Sequence, residues 1–163
     1  MSVKRISDSS ITVIQQMMPT DSNLAGNIHG GTIMKLVDNT AGIVASRHSS
    51  KNSVTASIDR IDFHSPVYVG DLLKIHASIN YVGKKSMEIG ARVEAEDPLT
   101  GEVRHTASAY LTFVSLDKAG KALPIPEIAL ESETEERRQR EALARRAARL
   151  RVKNCEIKGI CEL

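Results

Sequence analysis

The sequence is poor in aromatic residues, which make up 3% of the chain, and it contains no tryptophan. Hydrophobic residues still account for 41% of its 163 residues, which is enough for one domain with an aliphatic core. No apolar run reaches the length of a membrane-spanning helix, and the first residues, MSVKRISD, lack the apolar segment of a signal peptide. These absences predict a soluble, cytoplasmic protein that has no membrane partner.

Cysteine is also scarce, with only Cys155 and Cys161, both among the last ten residues. They lack the paired Cys/His spacing of a zinc site, and two cysteines in a tail are poor evidence for a disulfide framework. The five histidines show no metal-ligand spacing either. We therefore predict no metal and no cofactor. The net charge of +2 gives no case for nucleic-acid binding.

Residue patterns predict one strand, one helix and then four consecutive strands. The first strand covers Ile11 to Met17, and apolar residues from Thr32 to about His48 surround most of a helical circumference, which is typical of a buried helix. Alternating residues and short turns then predict strands at 54–63, 72–82, 87–95 and 103–116. This order favours an α+β fold in which an antiparallel sheet of about five strands wraps around a central helix. Such a sheet covers one side of the helix, so we predict a homodimer.

The predicted domain, residues 1–126, ends at the segment Leu123-Pro-Ile-Pro126, and residues 127–163 form a tail. The tail has a strong helix-forming stretch from Glu131 to Arg151, with acidic residues first and arginines later, which suits the helix dipole. Three Glu–Arg pairs have the favourable i,i+4 order: Glu133–Arg137, Glu136–Arg140 and Glu141–Arg145. Two alternatives stay open. The helix is a solvated appendage, or its Arg145, Arg146 and Arg149 cluster meets an anion, either a ligand phosphate or a neighbouring subunit.

The stretch from Asn23 to Asp38 contains the candidate chemistry. Asp38 shares a helix face with apolar and small residues: Gly31, Met34, Ala41, Gly42 and Ala45. A carboxylate on such a face is partly desolvated, which costs free energy unless the carboxylate is paired or used. It is therefore a candidate catalytic group, and the alternative is a structural hydrogen bond to a loop amide or across an interface.

A glycine turn precedes this helix, at His29-Gly30-Gly31. The N–H of Gly31, helped by that of Gly30, could hold the oxyanion of an attacked thioester carbonyl. A histidine before two glycines is more typical of a capping residue than of a catalytic base. Asn23 and Asn27 are favoured in turns, but either amide could also orient a water molecule. Because G-x-S-x-G and P-loop motifs are absent, the remaining chemistry is acid–base chemistry by carboxylate, amide and backbone.

The chain resembles the hot-dog-fold acyl-CoA thioesterases of the cytosolic acyl-CoA hydrolase type. Four segments carry the resemblance, which extends from about residue 10 to residue 126: N-x-x-G-N-x-H-G-G-T-I-M-K-L-V-D-x-x-A-G-I-V-A-S-R-H, V-T-A-S-I-D-x-I-D-F-H-S-P-V-Y-V-G-D, S-M-E-I and T-F-V-S-L-D. The resemblance implies a dimer with one continuous sheet, commonly assembled further as a trimer of dimers. It implies acyl-CoA as substrate, with coenzyme A as part of that substrate rather than a cofactor.

The same resemblance implies roles for individual residues. Asn23 of one subunit and Asp38 of the other would form the catalytic pair, with Asp38 as general base or, alternatively, as nucleophile, and with the Gly31 N–H as oxyanion donor. Coenzyme A would contact three groups of residues: Ala56, Ser57 and Ile58 on a strand, Lys85, Ser86 and Met87 at a turn, and Arg145 or Arg146 on the tail helix. Three alternatives remain: a non-catalytic acyl-CoA-binding regulator, a hot-dog hydratase or dehydratase, and a nucleotide-regulated enzyme. The acyl chain-length preference is not predicted.

Overall fold

The computed structural model describes residues 3–158, so Cys161 lies outside the described part of the chain. The strands are β1 (Lys4–Arg5), β2 (Ile11–Gln16), β3 (Ser53–Phe63), β4 (Leu72–Val82), β5 (Ser86–Glu96), β6 (Val103–Ser115) and β7 (Ile128–Ala129). The α-helices are α1 (Gly30–Ser49) and α2 (Glu133–Lys158), and two short 3-10 turns lie at Ile6–Asp8 and Pro19–Asp21.

Five strands form one antiparallel sheet in the order β2-β4-β5-β6-β3. Helix α1 contacts every strand of this sheet. The predicted α+β fold, a five-stranded sheet around a long helix, is therefore confirmed. β2 and β3 are the edge strands, and β1 and β7 form a separate parallel pair.

The core lies between α1 and the inner face of the sheet. Strict alternation in β5 points its aliphatic side chains inward, among them Ile89 and Val93, which are fully buried. On α1, Val37 and Val44 are buried on the side that faces the sheet. The sheet covers one side of the helix, as predicted, and Ile43 is 45% exposed in the single chain, on the surface that a second subunit is predicted to cover.

Capping explains why α1 begins two residues earlier than the sequence predicts. His29 has extended backbone angles and its side chain accepts a hydrogen bond from the N–H of Gly31, so the helix starts at Gly30. The helix ends at Ser49, and the capping residue Ser50 has a left-handed φ of 54°. The end is held from outside by Lys4, whose ammonium donates to the carbonyl oxygen of His48 at 2.6 Å.

Helix α2 packs against the outer face of the sheet, where Ala142 is fully buried. The helix is therefore not a solvated appendage. Two of its arginines meet anions, but these are carboxylates of the sheet: Arg145 pairs with Glu88 of β5, and Arg149 pairs with Asp59 of β3. The expected i,i+4 pair of Arg145 with Glu141 is replaced by the contact with Glu88, because Glu88 accepts three hydrogen bonds from the guanidinium.

Neither α1 nor α2, nor any other helix among residues 3–158, is long and apolar enough to cross a bilayer. The division of the chain at residue 126 stays a prediction.

Candidate active site

Asp38 lies on the flank of α1 that faces β3, and its side chain is half-buried. Its Oδ1 atom accepts a hydrogen bond of 2.6 Å from the hydroxyl of Thr55. The Oδ2 atom has no hydrogen-bond partner in the described part of the chain. One oxygen is thus held in place, and the other is left to accept a proton or a hydrogen bond from a ligand.

Sequence reasoning missed Thr55, although it lies in the segment V-T-A-S-I-D. A β-branched residue in a strand usually needs no explanation beyond strand propensity. The signal that could have identified Thr55 is its place on the inner side of the strand beside the helix that carries Asp38. That signal depends on the register of β3, which the sequence does not give.

Strand β3 has two β-bulges against β6. Thr55 pairs with Phe113 and Ser57 pairs with Thr112, so Ala56 between them has no partner in β6. Neighbouring residues of β6 point to opposite faces, and Phe113 lies in the core. Thr55 therefore points inward and Ser57 points outward, whereas residues two apart in a regular strand share a face. The second bulge falls between Ile58 and Arg60.

Asn23 organises the turn that precedes α1. Its Oδ1 atom accepts a hydrogen bond from the N–H of Ala25 at 2.8 Å, and its amide nitrogen donates to Oδ1 of Asn27 at 2.6 Å. Gly26 completes the turn with a φ of 83°. Within one chain Asn23 and Asp38 share no hydrogen bond. The structure thus gives Asn23 a local role and leaves its predicted catalytic role untested.

The glycine turn offers one engaged donor and one free donor. The Gly31 N–H donates to Nδ1 of His29 at 2.8 Å, so the predicted oxyanion donor is occupied by the capping side chain. The Gly30 N–H, at the first position of the helix, has no hydrogen-bond partner within residues 3–158. Gly30 also lines a cleft of about 350 Å³ together with Asn27, Phe63 and His64. The residue that carries the free backbone donor therefore borders this cleft.

The residues predicted to bind coenzyme A lie at one end of the sheet. Val54 of β3 and Ser86 of β5 both pair with Val114 of β6, from opposite sides. The strand group, Ala56 to Ile58, and the turn group, Lys85 to Met87, are therefore separated by one strand. Ala56 and Lys85 are exposed. Met87 is only 1% exposed and its side chain belongs to the core, so it offers no side-chain contact.

The two tail arginines differ in their contacts. Arg145 is held by Glu88, which is 3% exposed, and its guanidinium carbon lies 3.7 Å from the centre of the Tyr110 ring. The amide of Asn80 completes the partners of Glu88, at 3.1 Å. Arg146 is half-buried and forms no ion pair with any residue that the structure describes. Of the two, only Arg146 has an uncommitted guanidinium.

The described residues contain no group of three or more His, Cys, Asp or Glu side chains that could hold a metal ion.

Comparisons with known proteins identify the family. Residues 25–102 match the family model described as "Thioesterase superfamily". The cytosolic acyl coenzyme A thioester hydrolase of Rattus norvegicus is 40% identical over 142 residues, which cover 86% of this chain and 37% of that protein. The chain therefore spans about a third of the length of this relative. A hexameric acyl-CoA thioesterase solved in the apo form is 33% identical, with a TM-score of 0.91 over 94% of this chain and 98% of that chain.

The acyl-CoA hydrolase of Staphylococcus aureus, solved with butyryl coenzyme A and coenzyme A, is 33% identical, with a TM-score of 0.87 over 96% of this chain and 95% of that chain. Alanine variants of that enzyme have been solved at an asparagine, at an aspartate fifteen residues later and at a threonine seventeen residues after the aspartate. Asn23, Asp38 and Thr55 have the same two spacings. The chain belongs to the hot-dog-fold acyl-CoA thioesterases of the thioesterase superfamily.

Proposed function

We propose that the protein hydrolyses acyl-CoA thioesters to a free fatty acid and coenzyme A in the cytoplasm. The observation that carries the proposal is the Asp38–Thr55 hydrogen bond, which fixes one oxygen of the carboxylate and leaves the other free. The spacing that Asn23, Asp38 and Thr55 share with the residues replaced in the S. aureus hydrolase supports it.

Asp38 acts as the general base in this proposal. Its free Oδ2 takes a proton from a water molecule, and the water oxygen attacks the thioester carbonyl carbon. The carbonyl oxygen becomes an oxyanion, and collapse of the tetrahedral intermediate breaks the C–S bond and releases the coenzyme A thiolate. Thr55 keeps the carboxylate oriented toward the water. Thiolates are good leaving groups, so this step needs no strong general acid.

Backbone N–H groups at the start of α1 stabilise the oxyanion. The Gly30 N–H is free, and the Gly31 N–H becomes available when the His29 side chain rotates away. Each such donor is worth about 3 to 4 kcal/mol in the transition state. Because the Gly30 N–H has no other partner, we assign it a larger part in binding the oxyanion than the sequence alone suggests.

The working unit is a homodimer in which Asn23 of one subunit completes the site that contains Asp38 of the other. Edge strand β3 exposes Val54, Ile58 and Phe63 to between 37% and 48%, apolar side chains on both faces of the strand that a second β3 would cover while extending the sheet. The apo relative is a hexamer, which supports further assembly as a trimer of dimers. Coenzyme A binds along Ala56 to Ile58 and the Lys85–Ser86 turn, with Arg146 at its phosphates.

Hydrolysis of an acyl-CoA series, followed by release of free thiol, tests the activity. We expect turnover by the wild type and a loss of at least about a hundredfold in kcat for Asp38→Ala. Full activity of Asp38→Ala would refute the proposed mechanism. Tight binding of acyl-CoA without turnover by the wild type would instead favour a non-catalytic regulator.

Mixing two inactive variants tests the shared site. Asn23→Ala and Asp38→Ala subunits are unfolded and refolded together at equal concentration. If the two residues come from opposite subunits, each mixed dimer contains one site with both changes and one intact site, so about a quarter of the wild-type activity returns. If both residues serve the site of their own chain, no activity returns.

A further inference from the structure

The strand that carries Thr55 pairs irregularly with its own sheet. Among residues 3–158 only β6 pairs with β3, and two bulges interrupt that ladder; the second β3 of the proposed dimer would pair with the opposite edge of the strand. A bulge leaves its extra residue out of the hydrogen-bonded ladder and bends the strand. The position of Thr55 against Asp38 therefore needs support from outside the ladder.

Asp59 at the second bulge provides a contact of this kind. Its Oδ1 accepts a hydrogen bond of 2.8 Å from the hydroxyl of Ser57, and its Oδ2 accepts one from Nη1 of Arg149. The Asp59 side chain is 12% exposed and that of Arg149 is 26% exposed. This bridge links the outward residues on both sides of Ile58 and ties them to α2.

Helix α2 is a firm support for this contact because it is anchored separately. Arg145, one turn before Arg149, makes the bidentate pair with the buried Glu88 and stacks on Tyr110. Ser57 pairs with Thr112, the neighbour of Phe113, which in turn pairs with Thr55. A displacement of Ser57 on the outer face would therefore change the first bulge and move Thr55 on the inner face.

We propose that Arg149 and Asp59 are positioning residues for the hydrolysis, acting through the hydrogen bond from Ser57 to Asp59. The Arg149–Asp59 contact holds the bulged segment of β3 so that Thr55 stays hydrogen-bonded to Asp38. Arg149 thereby acts on the catalytic carboxylate from the opposite face of the sheet, through Asp59 and strand β3. This inference rests on the proposed function, since it assigns a role within the same site.

A double-mutant cycle tests the coupling. We expect Arg149→Met to lower kcat about tenfold while KM for acyl-CoA changes by less than about twofold, because the effect is on orientation and not on binding. In a Thr55→Val background, the Arg149→Met change should have no further effect on kcat, since the contact that it supports is already gone. Arg149→Lys, which keeps the charge, should retain most of the activity.

Additive effects in the cycle, or an effect on KM alone, would overturn the inference. Arg137→Met is the matched control, because Arg137 lies on the same helix in an exposed pair with Glu141, and it should leave kcat and KM unchanged. Size-exclusion chromatography of each variant checks the oligomeric state. If Arg149→Met loses kcat because its subunits dissociate, the result contradicts a positioning role.

Hydrogen exchange gives a readout that does not depend on activity. Amides of residues 53–63 should exchange faster in Arg149→Met than in the wild type, and Arg137→Met should match the wild type. If the wild type hydrolyses no acyl-CoA, the proposed function is refuted. Faster exchange of Arg149→Met confined to β3 would still support the Arg149–Asp59 contact in that case. Unchanged exchange in β3 would refute the contact even if the enzyme is active.

Discussion

The backbone N–H of Gly31 donates to Nδ1 of His29 at 2.8 Å, so the side chain that starts helix α1 occupies the donor predicted to bind the oxyanion. A Cβ on Gly31 would lie 2.9 Å from the same Nδ1 atom, which is closer than real Cβ contacts come. The glycine therefore permits the cap. The two roles of the Gly31 N–H, helix capping and oxyanion binding, compete with each other.

Replacement of His29 separates these roles. In His29→Ala the Gly31 N–H loses its acceptor, and we expect a loss of about 1 kcal/mol in the free energy of unfolding. We expect kcat to stay the same or rise, because the donor becomes free for the oxyanion. Urea unfolding and thiol release measure the two effects. His29→Asn, which can still cap, is the control, and a hundredfold fall in the kcat of His29→Ala would show instead that His29 is a catalytic base.

The buried pair of Glu88 and Arg145 predicts a large stability effect. Arg145→Met leaves the Glu88 carboxylate buried beside Asn80 without its cation, and we expect a loss of about 3 to 5 kcal/mol in the free energy of unfolding. Urea unfolding at one fixed protein concentration measures it. Arg140→Met, which breaks an exposed pair with Glu136 at 3.9 Å, should cost less than about 0.5 kcal/mol. Equal losses in the two variants would contradict this account.

His48 predicts that stability depends on pH. Its side chain is buried, and burial lowers the pKa of His48 because it disfavours the imidazolium. A hydrogen bond from Nε2 to the carbonyl oxygen of Pro126 opposes this shift, and the nearby Lys4 ammonium adds to it. The unfolded chain thus binds a proton at a higher pH than the folded chain. The free energy of unfolding should therefore fall as the pH drops below the ordinary value of 6.5.

Urea midpoints at about pH 7.5 and about pH 5.5 check this sign. We expect the midpoint of the wild type to be lower at the acidic pH, and this difference to be smaller in His48→Gln, which can still donate to Pro126. An identical pH dependence in both proteins would show that His48 does not cause it.

The exposed apolar surface of β3 predicts where the subunits meet. Ile58 is 41% exposed in the middle of this edge strand, and Ile58→Lys should shift the protein to monomers in sedimentation velocity, with loss of activity because the proposed site draws residues from both subunits. Val103→Lys is the matched control. Val103 is 50% exposed at the start of β6, and its replacement should leave the assembly intact. An oligomer unchanged by Ile58→Lys would place the interface elsewhere.

Local patterns predicted the main strands well. β4 runs from Leu72 to Val82 as predicted, and β3, β5 and β6 differ from the prediction by about one residue at either end. Strict alternation and short turns fix such strands from nearby residues alone. The tail helix extends further, from Glu133 to Lys158, whereas the prediction placed it between Glu131 and Arg151.

Contacts between distant parts of the chain could not be predicted in the same way. The alternation of β5 places Glu88 on the face opposite Ile89, but nothing near it in the sequence shows that Arg145, 57 residues later, would pair with it. The two-residue pairing of β1 with β7 also joins opposite ends of the described chain. At the site, the sequence alone identifies Asp38 as a candidate, because it is an acid on an apolar helix. It does not identify Thr55 as the partner of Asp38, because that contact depends on the register of a bulged strand.

The bulge at Ala56 has a consequence for anyone who tries to idealise this sheet. Deleting Ala56 would remove the first bulge and leave Thr55 opposite Phe113 and Ser57 opposite Thr112 on consecutive positions, so both residues would keep their faces. The residue lost would be the exposed Ala56, which the bulge leaves without a partner in β6. The irregularity thus presents one backbone unit outside the ladder at a position predicted to contact coenzyme A, and a regular strand would present none there.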